Sequence, residues 1–243
     1  MRKYNYGSIL LILIVNAILA GILENIFDGK LSFLGYLVAF IADYIICRGL
    51  LYDREGSFSD YFRGIKTMTG KVFLMNILVG GITVILILLA TLLSGAGSIV
   101  FYGYTMVDSN KVVISLIVLF ALVMVFTSLI FAYMNFFMAD ERYRDLPFFD
   151  SLILIIKAGI KLFSESFMAG LRAYKITLLT GVIALVTAIL SIKAPAAAIL
   201  AIIFGVIAVI SLFFCTPPFR ASLSDIYLDR SEEIYNEVIG NKN

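Results

Sequence analysis

Residues 112–139 read VVISLIVLFALVMVFTSLIFAYMNFFMA, twenty-eight consecutive positions without a charged side chain. A helix of about 20 apolar residues is enough to cross roughly 30 Å of hydrocarbon, so this run alone is long enough to span a bilayer. Five further runs of the same character surround it: Gly7–Phe27, Leu31–Tyr52, Val72–Leu93, Ile176–Ile192 and Ala196–Thr216. In lipid every backbone N–H and C=O must be satisfied within the segment, so such runs are helices. The expectation is an all-α polytopic membrane helix bundle with about six transmembrane helices. Composition agrees: 61% of the 243 residues are hydrophobic, 15% are charged and the mean hydropathy is +1.01. A soluble domain that apolar would aggregate.

The breaks between the runs carry turn chemistry. Asp28-Gly29-Lys30 predicts a tight turn after the first span, and Lys193-Ala194-Pro195 sets a proline at the first turn of the sixth. The segment Ser94–Lys111, with Phe101, Tyr102 and Tyr104, reads as an interfacial loop because aromatic rings favour the headgroup level. Basic residues close to span ends are retained in the cytoplasm. With the N-terminus inside, the outer turns hold only Lys30, Lys111 and Lys193 of the 19 Lys and Arg, so both termini are expected in the cytoplasm of a bacterial cell. The inner basic residues are spread over several short loops, which argues against nucleic-acid binding despite the net charge of +2. Arg2-Lys3 ahead of an apolar run is also how a secretory signal begins, but the run is a full span without a small-x-small cleavage site, and it reads as the first helix. Cys47 and Cys215 fall near the inner ends of their spans, where thiols stay reduced and behave as small apolar residues.

The segments on the inner side repeat. A shift of ninety positions aligns Arg54 with Arg144, Phe58 with Phe148, Asp60 with Asp150, Lys71 with Lys161 and Phe73 with Phe163; Pro147-Phe148 and Ser151-Leu152 then return as Pro218-Phe219 and Ser222-Leu223. The reading is three two-span units, each followed by a cytoplasmic amphipathic helix. Residues 1–219 form the membrane domain, with interfacial helices at about 57–70 and 147–165, and residues 220–243 form a partly helical cytoplasmic tail. In the first interfacial helix Phe58, Phe62, Ile65 and Met68 share one side, and Ser57 with Asp60 suits a cap. In the second, Phe148, Leu152, Ile155 and Gly159 form the apolar face. Their cations Arg63, Lys66, Lys157 and Lys161 are the expected docking residues for a partner, such as a cytoplasmic ATPase or another membrane subunit.

The step Ala139-Asp140-Glu141-Arg142, followed by Phe149-Asp150-Ser151-Leu152 and Lys161-Leu162-Phe163, resembles a family of bacterial six-span proteins that includes the membrane domain of some glycerophosphodiester phosphodiesterases. In that family a span ends in a short polar step that leads through an amphipathic helix into the next span. The resemblance implies a role in membrane organisation, export or transport, and it carries over no catalytic residue.

Without histidine, His-based triads, His-Glu-x-x-His zinc sites and histidine haem ligation are excluded, and no phosphate-binding Gly-x-x-x-x-Gly-Lys loop occurs. No metal or other cofactor is implied, and no enzyme is expected; Asp140, Asp145 and Asp150, close in sequence, read as a solvated loop rather than an intramembrane acid pair. The polar residues inside spans say more, because an uncompensated charge near the bilayer centre costs at least about 2.5 kcal/mol. Asp43, with Asn16, Asn76 and Asn135, is expected in the inner half of the bundle, as an inward polar pocket or as hydrogen-bonded pins between helices, and Arg48 is the cation nearest Asp43 in sequence. Small residues, Ala17 with Gly21 and Ala197, Ala201 with Gly205, form stripes suited to close helix packing. Two functional classes follow: a non-catalytic membrane subunit or scaffold that docks a partner, or a small-molecule transporter or substrate-binding subunit built around Asp43.

Overall fold

The structure, a computed structural model, describes residues 2–26, 33–93, 109–191 and 194–240, with side chains from 115 onward in the third of these stretches. Every regular element in them is helical: α1 Tyr6–Ile26, α2 Phe33–Tyr52, α3 Phe58–Arg63 continued by a 3₁₀ turn Gly64–Thr67, α4 Gly70–Leu93, α5 Ser109–Ile130, α6 Met134–Ala139, α7 Phe148–Lys161, α8 Phe163–Ala173, α9 Lys175–Ser191 and α10 Ala196–Val238. Five helical segments are long and apolar enough to cross a membrane, and six if α8 and α9, bent by 70° at Tyr174, count as one broken span. The chain is thus a multi-pass integral membrane protein. The turn at Asp28-Gly29-Lys30 and the aromatic loop of Phe101, Tyr102 and Tyr104 lie outside the described residues, as does Lys193.

Along their apolar lengths α1 pairs with α2, α4 with α5, and α9 with α10. Within the expected span 112–139 the turn Phe131–Tyr133 separates α5 from α6, while Ser115–Ala139 still qualifies as one span. Most of the buried side chains gather at one end of the bundle, here called the head. There Tyr44, Leu50, Tyr61, Tyr133, Phe136, Phe137, Leu154 and Tyr227 are fully buried. Tyr227 is the hub: its ring stacks 5.5 Å from that of Phe136 and meets Phe137 edge-on at 4.9 Å. Away from the head the helices expose large apolar residues, including Ile14, Ile18, Leu88, Leu92, Leu185, Ile189, Ile202 and Val206. Hydrocarbon is their solvent.

The largest departure from the sequence reading concerns the segment beyond 219. It is not a separate tail: α10 runs unbroken through Pro217 and Pro218, and its distal half packs Leu223, Tyr227, Ile234 and Val238 into the core of the head. Proline cannot donate to the carbonyl four residues back. The carbonyl that Pro218 leaves free is that of Phe214, and the Tyr6 hydroxyl donates to it at 3.0 Å. The helix therefore survives its prolines with an orphan acceptor satisfied from α1.

The two amphipathic segments also differ from each other. The first is one short helix capped as expected, with the Asp60 carboxylate accepting from the Ser57 amide at 2.9 Å and the Ser57 hydroxyl at 2.7 Å. The second ends at Lys161, not 165, and is three-sided. Its buried face is Ser151, Leu154, Ile155, Ala158 and Gly159, while Phe149, Ile153 and Ile160 point outward and Lys157 stands between the two. Gly159 is required here, since a Cβ would lie 1.9 Å from the carbonyl oxygen of Ile130 at the end of α5. Gly49 plays the same part for the Tyr61 ring, which a Cβ would meet at 2.1 Å.

Candidate functional site

Asp43 stands midway along α2, where it needs compensation. The structure supplies it twice over. Oδ1 pairs with the guanidinium of Arg220 on α10, and Oδ2 accepts from Asn135 Nδ2 on α6 at 2.7 Å. Asn135 Oδ1 in turn accepts from Asn76 Nδ2 on α4 at 3.3 Å, and the same Nδ2 donates to Val72 O at 2.8 Å. One chain of polar side chains thus links α10, α2, α6 and α4.

Three of the four residues expected to form an intramembrane cluster therefore meet. Asn16 does not join them: its Oδ1 is buried and has no hydrogen-bond partner among the described residues. Nor does Arg48 neutralise Asp43; it bonds Asp53 at 2.9 Å, at the turn after α2. The partner of Asp43 is Arg220, which the sequence reading assigned to the tail beyond the sixth run, Ala196–Thr216. It is the first charge after an uncharged run that starts at Ala194, and the run's length was the available signal.

The small-residue stripes do not act as close-packing sites. A Cβ on Gly21 or on Gly205 would meet nothing within 4 Å, and Ala17 is exposed. Ala197 and Ala201 are half-buried on α10, the helix that lies along α9. Close approach occurs at single glycines of the head: Gly159 against the Ile130 backbone and Gly49 against the Tyr61 ring.

In the head, Arg54 is the main tie. It donates to Ser224 Oγ at 2.7 Å, Asp225 Oδ1 at 2.6 Å and Lys3 O at 2.9 Å, joining the α2–α3 turn, α10 and the N-terminal segment. Asn5 caps α1 by accepting from the Ser8 amide at 3.0 Å, and its own Nδ2 donates to Gly56 O at 2.9 Å. Asp140 is not in a solvated loop: it is 3% exposed, and its carboxylate accepts from Arg142 at 2.7 Å and from the Tyr227 hydroxyl at 2.9 Å. Burial opposes its charge, but the bonds from Arg142 and Tyr227 outweigh burial and hold its pKa below the ordinary carboxylate value. Burial pushes the Tyr61 hydroxyl up to about 12, so it stays protonated and donates to Arg54 O at 3.0 Å.

Of the four expected docking cations, Arg63, Lys66 and Lys157 are exposed, and Arg63 makes only a loose 3.4 Å pair with Asp60. Lys161 is already engaged within the chain, by Glu233 at 3.0 Å and by Glu237, both on the distal half of α10. Among the described residues no three His, Cys, Asp or Glu side chains converge as a metal site requires. A cleft of about 580 Å³ opens between α5, α8, α9 and α10, walled mainly by apolar side chains and reached by Arg220. Comparison of the chain with protein-family models, curated proteins and solved structures returned no match.

Proposed function

We propose that this protein is a non-catalytic membrane subunit or scaffold of a transport, export or membrane-organising complex. On this reading its interior polar residues clamp the bundle, and the head docks a partner. The observation that carries it is the double compensation of Asp43, whose two carboxylate oxygens each meet a partner, Arg220 and Asn135, from two other helices. A transport site needs a charge that can exchange partners with its cargo or with water. This one is held from both sides, which favours a structural pin.

The head lies in the cytoplasm with both termini, in a bacterial cell membrane, as the distribution of Lys and Arg favours. The pairing of α1 with α2, α4 with α5 and α9 with α10 supports an assembly of three two-span units. The family resemblance agrees with such an organising role. Arg63, Lys66 and Lys157 are exposed cations of the head, Arg63 only loosely paired with Asp60, and suit an acidic face on a cytoplasmic ATPase or another membrane subunit. Lys161 drops out because it already has acidic partners.

The test is the triple reversal Arg63→Glu, Lys66→Glu and Lys157→Glu. Membrane insertion and detergent stability should be unchanged, while the cytoplasmic subunit that co-purifies with the native protein is lost. Co-purification at the native level would overturn the docking reading.

A further inference from the structure

The cleft between the α4/α5 and α9/α10 hairpins is apolar along most of its wall, with Met124, Val125, Leu178 and Leu212 facing it. Five residues with polar side-chain groups interrupt that wall: Tyr174 and Thr216 bond each other, Thr177 bonds Ser211, and Ser128 and Arg220 remain. Ser128 is exposed and its hydroxyl has no hydrogen bond within the described residues, and Arg220 has no protein acceptor there other than Asp43. A guanidinium carries five N–H donors, so one carboxylate oxygen cannot satisfy it. About a quarter of the Arg220 side chain, 24%, is exposed. Donors that face hydrocarbon without an acceptor are costly.

The depth of these groups fits a particular occupant. Arg220 stands 24 residues after Ala196, the first residue of α10, which is about 36 Å along the helix at ~1.5 Å per residue. The hydrocarbon is roughly 30 Å thick, so a helix that enters at one face carries Arg220 past the midplane toward the other boundary, level with its partner Asp43 on α2. Ser128 lies 19 residues into α5, about 28 Å from its start, near the same boundary. A cation and a hydroxyl toward the head end of the cleft, beside apolar walls that run into the hydrocarbon, complement an anionic head carrying acyl chains. The cleft's volume of about 580 Å³ falls within the ~300–1,000 Å³ usual for small-molecule sites.

We infer that this cleft is a phospholipid site, in which the lipid phosphate takes the free N–H groups of Arg220 and an acyl chain lies between α5, α9 and α10. The guanidinium then serves two anions at once, Asp43 on the protein side and the phosphate on the lipid side, an arrangement its planar fork permits. The inference does not depend on a protein partner. It depends only on the chain being embedded in a bilayer.

The test uses the full chain, stripped of lipid in detergent, with dioleoylphosphatidylglycerol as the probe and native mass spectrometry as the readout. One lipid per chain should be retained. Dioleoylglycerol, which has the same tails and no phosphate, should bind at least about ten-fold more weakly. Inorganic phosphate alone should neither bind nor stabilise the protein. Gly170→Leu fills the cleft while leaving the Asp43–Arg220 pair intact, because a Cβ there meets only Phe219 Cε2, at an ordinary 3.5 Å. It should lower retention of the phospholipid about ten-fold, and Val125→Trp, from the facing wall, should do the same if the first variant folds poorly. Arg220→Gln should remove the preference for the phosphate-bearing lipid. Equal binding of dioleoylglycerol, stabilisation by inorganic phosphate alone, or native retention in a folded cleft-filled variant would overturn the inference.

Discussion

Replacing Asp43 by asparagine keeps the shape of the side chain and an acceptor for Asn135, but it strands Arg220. Without that partner, an amide is cheaper to bury than an ion and the change would be neutral or mildly stabilising. The structure reverses the sign. Removing one member of a fully buried ion pair costs about 3–5 kcal/mol, because the other charge is left uncompensated. Here the side chains of Arg220 and Asp43 keep 24% and 25% of their surface, so solvent and headgroups recover part of that. The expected loss is about 2 kcal/mol, which for a chain of this size corresponds to a fall of about 4–8 °C in midpoint. Arg220→Gln should cost a similar amount by leaving Asp43 bare. Combining Asp43→Asn with Arg220→Gln replaces the pair by two amides that can bond each other, so the double variant should lie within about 1 kcal/mol of the native protein, far from the sum of the singles. Thermal unfolding of the four proteins in one detergent, followed by circular dichroism, completes the cycle. An Asp43→Asn protein as stable as the native one, or a double variant that loses the full sum, would refute the clamp.

Gly159→Ala sets a methyl against the Ile130 carbonyl at 1.9 Å and should cost ~1–3 kcal/mol or more. Gly21→Ala and Gly205→Ala meet open space and should be neutral or stabilise by up to about 1 kcal/mol through helix propensity; the same unfolding assay separates them. The Asp140 pKa is lowered in the fold, so its contribution is present above the unfolded value of about 3.9 and is lost as pH falls through the depressed folded value. Acid titration of detergent-solubilised protein should show this step, and Asp140→Asn should abolish it. For orientation, cysteine at the exposed Ser59 should react with an impermeant maleimide only after cells are opened, whereas cysteine at Ser98 should react in sealed cells; Cys47 and Cys215 are buried and give little background. Labelling of Ser59→Cys in sealed cells would invert the bundle.

The class of fold was legible because a charge-free run of twenty residues has few other uses, and three of the six spans contain one; Gly7–Phe27 carries Glu24, Leu31–Tyr52 carries Asp43 and Arg48, and Ile176–Ile192 is 17 residues long. The meeting of Asp43 with Asn76 and Asn135 was legible too, since polar groups in lipid have nowhere else to bond. What pattern could not supply was the third dimension. The sixth apolar run ends at Thr216, but α10 continues through Pro217 and Pro218, with the Tyr6 hydroxyl of α1 on the freed Phe214 carbonyl, and so brings Arg220 to Asp43. Asp140 looked solvated because its neighbours are charged, yet Tyr227, 87 residues away, covers it. The glycine stripes failed for the converse reason. Spacing along one helix says which face is smooth, not whether another helix lies on it, whereas Gly49 and Gly159 stand outside those stripes and are pressed by Tyr61 and Ile130.

The uneven distribution of packing follows from the two solvents the chain inhabits. Between helices in lipid there is no hydrophobic drive, since the tails are as apolar as leucine, and beyond the head α1, α4, α9 and α10 leave their large side chains exposed. In the head water is near, apolar burial regains its value, and Tyr44, Tyr61, Tyr133 and Tyr227 are wholly buried. The polar chain from Arg220 to Asn76 joins a helix from each of the three hairpins close to where they enter the head, where dispersion alone would not fix their angles. Ion pairs and amide bonds specify a geometry there that lipid exposure leaves open. The hairpins are thereby held from one end, by the distal half of α10 and the ties of Arg54, and the cleft between α5 and α9 is a gap that this arrangement leaves for lipid to fill.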